Sequence, residues 1–194
     1  CAGFVPFAMM AAEDGSYGYE MEIIVPAASN LQVPTDIKGK TLAFTTPTSN
    51  SGFKAPSAIL KAEFGLIADQ DFKTSFSGKH DNSILGVANG DYEAAAVANS
   101  VLARMIDRDA VDHTALRSIY KSQTFPTTAY GHAYNLHPLI AAQVRQAFFT
   151  FPWAESGLSD EFAEDDGFVS IGYKTDWQII RTVDSANDVS YDCR

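Results

Sequence analysis

The chain is short of positive charge. Across 194 residues, 14 Lys and Arg stand against 24 Asp and Glu, a formal net charge of −10. A surface of that sign repels a phosphate backbone, so no nucleic acid is expected as a partner. An acidic chain can still hold a small anion where backbone N–H groups and hydroxyls are concentrated locally and outweigh the overall field. Cysteine is equally scarce, with Cys1 and Cys193 at opposite ends. Two readings stand: a disulfide closing nearly the whole chain, worth roughly 4–5 kcal/mol in the chain-entropy picture and suited to an oxidising compartment, or two unrelated thiols. No hydrophobic run reaches the length of a bilayer-spanning helix, and the opening CAGFVPFAMMAA lacks the basic flank and cleavage pattern of a signal peptide. Since the chain opens on Cys1, it reads as a processed product or a piece of something longer. A lipid-anchored cysteine would be followed by a polar tether, whereas AGFVPFAMM is apolar and reads as core.

Motifs of the common enzymes are missing as well. There is no HExxH, no cysteine pair at metal-ligand spacing, no GxGxxG and no GxSxG, so neither a metal nor a cofactor is expected. His132 and His137 fall on a strand and its end, facing opposite sides, and do not share a metal. The acidic run from Asp160 to Asp166 reads as a solvated loop, and the aromatics Phe148, Phe149, Phe151 and Trp153 read as core rather than as a ligand box.

What is present suffices for one sizeable core or two modest ones, with 46% hydrophobic and 12% aromatic residues. Strand-like and helix-like patterns alternate, which predicts an α/β fold with mainly parallel pairing. Strands are expected at EMEIIVPA (Glu20 to Ala27), KTLAF (Lys40 to Phe44), DFKTSF (Asp71 to Phe76), YEAAAV and ALRSIY (Ala115 to Tyr120). Helices are expected with Phe53, Leu60 and Phe64 on one face, with Ile84, Val87 and Ala88 before a C-cap at Gly90, and over VLARMID. Pro56 blurs the start of the first of these. Together they form a lobe over residues 28–123. Residues 1–27 and 124–194, with a helix from Pro138 to about Thr150 and a last one around Trp177 to Val183, are expected to pack as a second lobe.

Open α/β sheets bind ligands at the carboxyl ends of their strands, and three strand ends here deliver small polar residues: TPTSNSG, SGKH and ANS. In the first, Thr48, Ser49, Asn50 and Ser51 precede Gly52, which points hydroxyls and successive N–H groups at one helix N-terminus. Helix capping by Ser51 is the plainer alternative. His80, at the start of the next helix, can offer an imidazole N–H to the same anion. Asn99 opens the third connection.

The runs DIKGKTLAFTTPTSNSGFKAPSAIL, FSGKHDNSILGVANGDYEAAAVANS and IYKSQTFPTTAYGHAYNL resemble the phosphate/phosphite/phosphonate ABC-transporter periplasmic binding proteins. The resemblance implies a two-lobed, type II venus-flytrap fold, here with residues 28–123 as a complete lobe two and residues 1–27 plus 124–194 as a partial lobe one carrying crossover strands and the C-terminal helix. It further implies an extracytoplasmic, monomeric protein without catalysis that binds a small phosphorus oxyanion between its lobes and hands it to an ABC permease. Carried onto this chain, the phosphoryl oxygens fall to Ser49, Asn50, Ser51 and His80, with Thr48 and Gly52 in the same loop; Tyr19 and Thr127 near the crossovers, and Asn99, are further candidates. Asn50 replaces the family's more usual threonine. Val101 stands where aminoethylphosphonate binders carry a glutamate, and Thr127 and Thr128 follow Pro126 where some members have an aspartate, so phosphite, phosphate or methylphosphonate is expected instead. Family members also carry a signal peptide and a first part of lobe one, so a half-site with millimolar affinity is expected here. The alternatives are another oxyanion such as sulfate, an enzyme on the same fold using His80 and a second histidine, or the effector lobe of a regulator.

Overall fold

The structure is a computed structural model that describes residues 3–162 and 164–187. Cys1 and Cys193, and with them the question of their pairing, lie outside the described residues. In chain order the strands are β1 (Phe4–Ala11), β2 (Met21–Pro26), β3 (Thr41–Phe44), β4 (Lys73–Phe76), β5 (Ala94–Ala98), β6 (Leu116–Lys121), β7 (Ala129–Ala133) and β8 (Gly167–Ser170). The α-helices are α1 (Ala55–Phe64), α2 (His80–Ala88), α3 (Asn99–Asp107), α4 (Pro138–Phe149), α5 (Leu158–Glu161), α6 (Tyr173–Asp176) and α7 (Gln178–Ala186). Two compact units result. One runs up to Gly18 and resumes over Phe125–Arg181; the other takes Tyr19–Thr124 and the described residues from Thr182 on.

The second unit is built on a five-stranded sheet in the order β4-β3-β5-β2-β6. β3 is parallel to β4 and β5, but β2 is antiparallel to both of its neighbours, β5 and β6. Four strands therefore run one way and β2 alone runs against them, so the expectation of mainly parallel pairing holds for only two of the four ladders. The grouping of Glu20–Ala27 with the other lobe is also corrected. β2 is hydrogen-bonded on both sides inside this sheet, and Ile23, Ile24 and Val25 are fully buried, as a central strand requires. The described residues from Thr182 to Asn187, grouped with the other lobe by the sequence reading, likewise lie in this unit.

Successive strand residues face opposite sides. One side carries Ile24, Ala43, Ala95 and Val97, packed with Ile84 and Val87 of α2 and Met105 of α3. Phe44 belongs to the other, against the rings of Phe53 and Phe72 at 5.1 Å and 6.3 Å. α1 begins at Ala55 with Pro56 in its first turn, where proline's fixed φ suits the start of a helix. It ends at Gly65, whose φ of 66° is the left-handed cap.

The first unit holds an antiparallel sheet in the order β7-β1-β8. Its core is aromatic. Phe7 meets Phe148 edge-on at 5.2 Å, and Phe168 lies within 6.1 Å of Phe148, Tyr130, Phe151 and Trp153. Of the aromatics around Pro152, Trp153 is buried and Phe148 half-buried, as the sequence suggested, but Phe149 and Phe151 are exposed at 41% and 37% and only edge this core. β8, four residues following the acidic run, was not anticipated: GFVS is too short to show alternation, and its pairing with β1 supplies the order. Among the described residues no helix is long and apolar enough to cross a membrane, and no group of three or more acidic, His or Cys side chains could hold a metal ion. His132 stacks on Phe7 at 5.8 Å, whereas His137 accepts a hydrogen bond from Leu139 N–H at the start of α4, so the two serve separate local roles.

Candidate functional site

The strand directions gather one edge of the second unit's sheet. β3, β4 and β5 all end there, feeding the Thr45–Ser49 segment, the Ser77–Lys79 turn and Asn99. Because Met21 pairs with Ala98 and Glu22 with Lys121, the start of β2 and the end of β6 reach the same edge. Tyr19, Ser49 to Gly52, His80 and Asn99 are thus brought to one edge by topology alone.

The serine-rich segment does not enter a regular helix. Residues Asn50–Lys54 form a wide π-turn, closed by Lys54 N–H to Ser49 carbonyl at 3.0 Å and by Ala55 N–H to the Asn50 carbonyl. Closure over five residues leaves the N–H groups of Asn50, Ser51, Gly52 and Phe53 without an acceptor within the turn, one more than an α-helical start would. Ser49 is the capping residue, and its Oγ accepts from Gly52 N–H at 3.0 Å. The cap is therefore Ser49 rather than Ser51.

Two sequence features enforce this shape. Pro56, four residues after Gly52, has no N–H to offer the Gly52 carbonyl, which instead accepts from Thr45 N–H at 3.0 Å. The turn is thereby drawn against β3 so closely that a Cβ at position 52 would lie 1.9 Å from Thr45 Oγ1. Only glycine fits. Thr45 also accepts from Gly78 N–H at 3.0 Å through its carbonyl, so one residue ties the serine-rich turn to the His80 turn. Its hydroxyl is buried and makes no hydrogen bond among the described residues.

Ser51 is buried, and its side chain is hydrogen-bonded to Tyr19. Burial pushes the Tyr19 phenol upward, with the Ser51 bond opposing. Thr48 is exposed, and its hydroxyl lies 3.3 Å from that of Thr46.

His80 is the first residue of α2. Its Nδ1 accepts from Ala98 N–H at 3.1 Å. Since a backbone N–H can only donate, Nδ1 must be unprotonated, and the proton of the neutral ring sits on Nε2. Burial holds the imidazole below its ordinary value; Asp81 opposes this and Arg104 adds to it. At neutral pH His80 is thus a neutral donor through Nε2–H. The turn before it is braced by the 2.6 Å contact between the Ser77 and Ser83 hydroxyls.

Asn99 is largely committed to structure. Its Oδ1 accepts from Glu20 N–H at 2.9 Å and its own N–H donates to the Glu20 carbonyl at 3.0 Å, leaving the side-chain NH₂ as the group it could offer a ligand. Ser122 does the same for Met21, with Oγ accepting from Met21 N–H at 2.9 Å. Thr127, exposed in the connection before β7, belongs to the first unit. Sequence reasoning missed Thr45, Ser77 and Ser122 as supports. A small hydroxyl residue at or just beyond a strand's end is the one signal that marks all three.

The edge is a set of neutral donors: N–H groups of a wide helical start, serine hydroxyls and a neutral imidazole. That chemistry suits a compact oxyanion. Residues 1–176 match the family model described as ABC transporter, phosphonate, periplasmic substrate-binding protein. The chain belongs to that family. It is 28% identical over 189 residues to the phosphate-import protein PhnD of Mycolicibacterium smegmatis, covering 93% of this chain and 59% of that protein. It is 32% identical over 124 residues to the phosphonates-binding periplasmic protein of Escherichia coli, covering 62% of this chain and 36% of that one. The chain thus spans well under two thirds of the length of either relative. Among solved structures, PhnD1 from Prochlorococcus marinus in complex with methylphosphonate shares the fold, with a TM-score of 0.76 over 97% of this chain and 72% of that one at 14% identity.

Proposed function

We propose that this chain is the solute-binding part of a periplasmic ABC importer and binds a small phosphorus oxyanion at the carboxyl edge of its five-stranded sheet. The observation that carries this is the convergence there of the open turn Asn50–Lys54 with a histidine whose proton is fixed on Nε2. Ser49 to Gly52 hold the phosphoryl oxygens through N–H groups and hydroxyls, with Thr48 at the rim. His80 donates Nε2–H, Tyr19 supports Ser51, and Asn99 contributes its side-chain NH₂. Thr127 lies in the first unit, and the two compact units correspond to the family's lobes. The partner that receives the anion is an ABC permease.

The ligand carries no ammonium group. Val101, in the first turn of α3, offers no carboxylate to one, and the donors named above are matched to oxygens. Phosphite, phosphate and methylphosphonate fit, and no chemistry is performed on them. Three or four hydrogen bonds to a charged ligand at about 1.5–3 kcal/mol each, less several kcal/mol of association cost, leave a millimolar affinity for this chain. Calorimetric competition tests the ligand class. Phosphite or methylphosphonate should displace phosphate, and aminoethylphosphonate should bind at least tenfold more weakly. Equal binding of sulfate would move the assignment to oxyanions in general; preference for aminoethylphosphonate would refute it.

A further inference from the structure

The turn that carries the anion donors is gripped from outside by the far end of the chain. Lys54 closes the turn through its N–H, bonded to the Ser49 carbonyl at 3.0 Å. Its carbonyl accepts from the side-chain amide of Asn187 at 2.9 Å, and its ammonium lies 3.4 Å from Asp184. Asp184, in the last turn of α7, is 2% exposed, while the Lys54 side chain is 25% exposed. Asn187, just beyond α7, also donates to the Val183 carbonyl at 2.8 Å, which caps the helix and aims the same amide at Lys54. All of these residues lie within the second unit.

A carboxylate this deeply buried is costly to desolvate, and an apolar residue would pack beside Val183 without that cost. The pair does more than fill space. It fixes the one residue whose N–H determines whether the turn closes over five residues or over four. If Lys54 N–H slipped from the Ser49 carbonyl to that of Asn50, the start would become α-helical, Phe53 N–H would take up the Ser49 carbonyl in its place, and one donor fewer would remain for an anion.

We propose that Asp184 and Asn187 are positioning residues for the anion turn: by holding Lys54 they keep the N–H groups of Asn50, Ser51 and Phe53 in the open arrangement that receives the oxyanion. This rests on the reading of that turn as the anion site. The test has two readouts on the whole chain, amide hydrogen exchange at Lys54 and Ala55, and affinity for inorganic phosphate and methylphosphonate by NMR titration. Asp184→Asn and Asn187→Ala should each raise exchange at those two amides about tenfold and weaken both anions about threefold to tenfold, with the sheet amides still protected. The double variant Lys54→Met with Asp184→Leu replaces the ion pair by apolar contact and should restore slow exchange and near wild-type affinity. Variants that lose thermal stability yet keep wild-type exchange at Lys54 and Ala55 and wild-type affinity would overturn the inference, leaving the two residues a purely structural role. If the wild-type chain showed no response to either anion at Ser49 to Phe53, the anion reading itself would fail, and this inference with it.

Discussion

Replacing Gly52 by alanine is the sharpest perturbation available to the turn. The new methyl would lie 1.9 Å from Thr45 Oγ1, 2.7 Å from its Cγ2 and 2.8 Å from its Cβ. Thr45 cannot simply retreat, being buried, the first residue after β3, and bonded through its N–H to the Gly52 carbonyl and through its carbonyl to Gly78 N–H. The turn must lift instead. Overpacking of this kind costs about 1–3 kcal/mol, and for a chain of this size each kcal/mol lowers Tm by about 2–4 °C. Lifting the turn also moves the N–H groups of Asn50 and Ser51 off their common target. Losing one charge-assisted hydrogen bond, about 1.5–3 kcal/mol, weakens anion binding by a factor of about 10 to 150. Thermal unfolding and an NMR titration with methylphosphonate read the two effects separately. Adding Thr45→Ala removes the two atoms that include the closest contact and should recover part of both. If Gly52→Ala bound methylphosphonate with wild-type affinity and left the amides of Asn50 and Ser51 unshifted, the close approach of turn and strand would not be what sets the donors.

Three further outcomes are expected. His80→Phe removes both the ligand donor and the acceptor for Ala98 N–H; it should weaken oxyanion binding about tenfold or more and destabilise by about 1–3 kcal/mol, checked by calorimetry and chemical unfolding. The His80 pKa is depressed in the folded chain, so its contribution to stability is complete above the ordinary value near 6.5 and is lost as pH falls through the lowered folded value. Nitrogen-resolved NMR should therefore show the Nε2–H tautomer at pH 7 and a His80 midpoint below 6.5 in the free chain, moving upward when an anion is bound. Gly86→Ala, in the last turn of α2, puts a methyl 2.4 Å from the Tyr92 ring; it should cost about 1–3 kcal/mol in unfolding while leaving Kd unchanged, a control that separates stability from binding.

The gathering of these residues at one sheet edge could be read in the sequence because strand ends, small polar residues and helix starts are all local signals. TPTSNSG, SGKH and ANS lie beyond the ends of β3, β4 and β5, and the sheet rule placed them together. The turn's true form was not legible. It depends on Pro56 withholding a donor from Gly52 and on Thr45 supplying one, and the second of these is a contact between residues whose meeting only the folded sheet decides. The direction of β2 was hidden for a similar reason. A continuous apolar run such as IIVP reports burial on both faces but carries no information on whether its neighbours run with it or against it. β8 and the role of Asp184 are still further from local pattern, since one is a four-residue strand ordered by β1 and the other a lone acid that acquires meaning only beside Lys54.

The most direct measurement is an NMR titration of the chain with phosphite, phosphate, methylphosphonate and sulfate, following the amides of Ser49 to Phe53 and the ring nitrogens of His80. Saturable shifts at those positions, larger for the phosphorus oxyanions than for sulfate and accompanied by deshielding of the His80 Nε2 proton, are the expected result. Shifts confined to other residues, or none in a chain whose sheet amides remain protected, would contradict the assignment of this edge as the binding site.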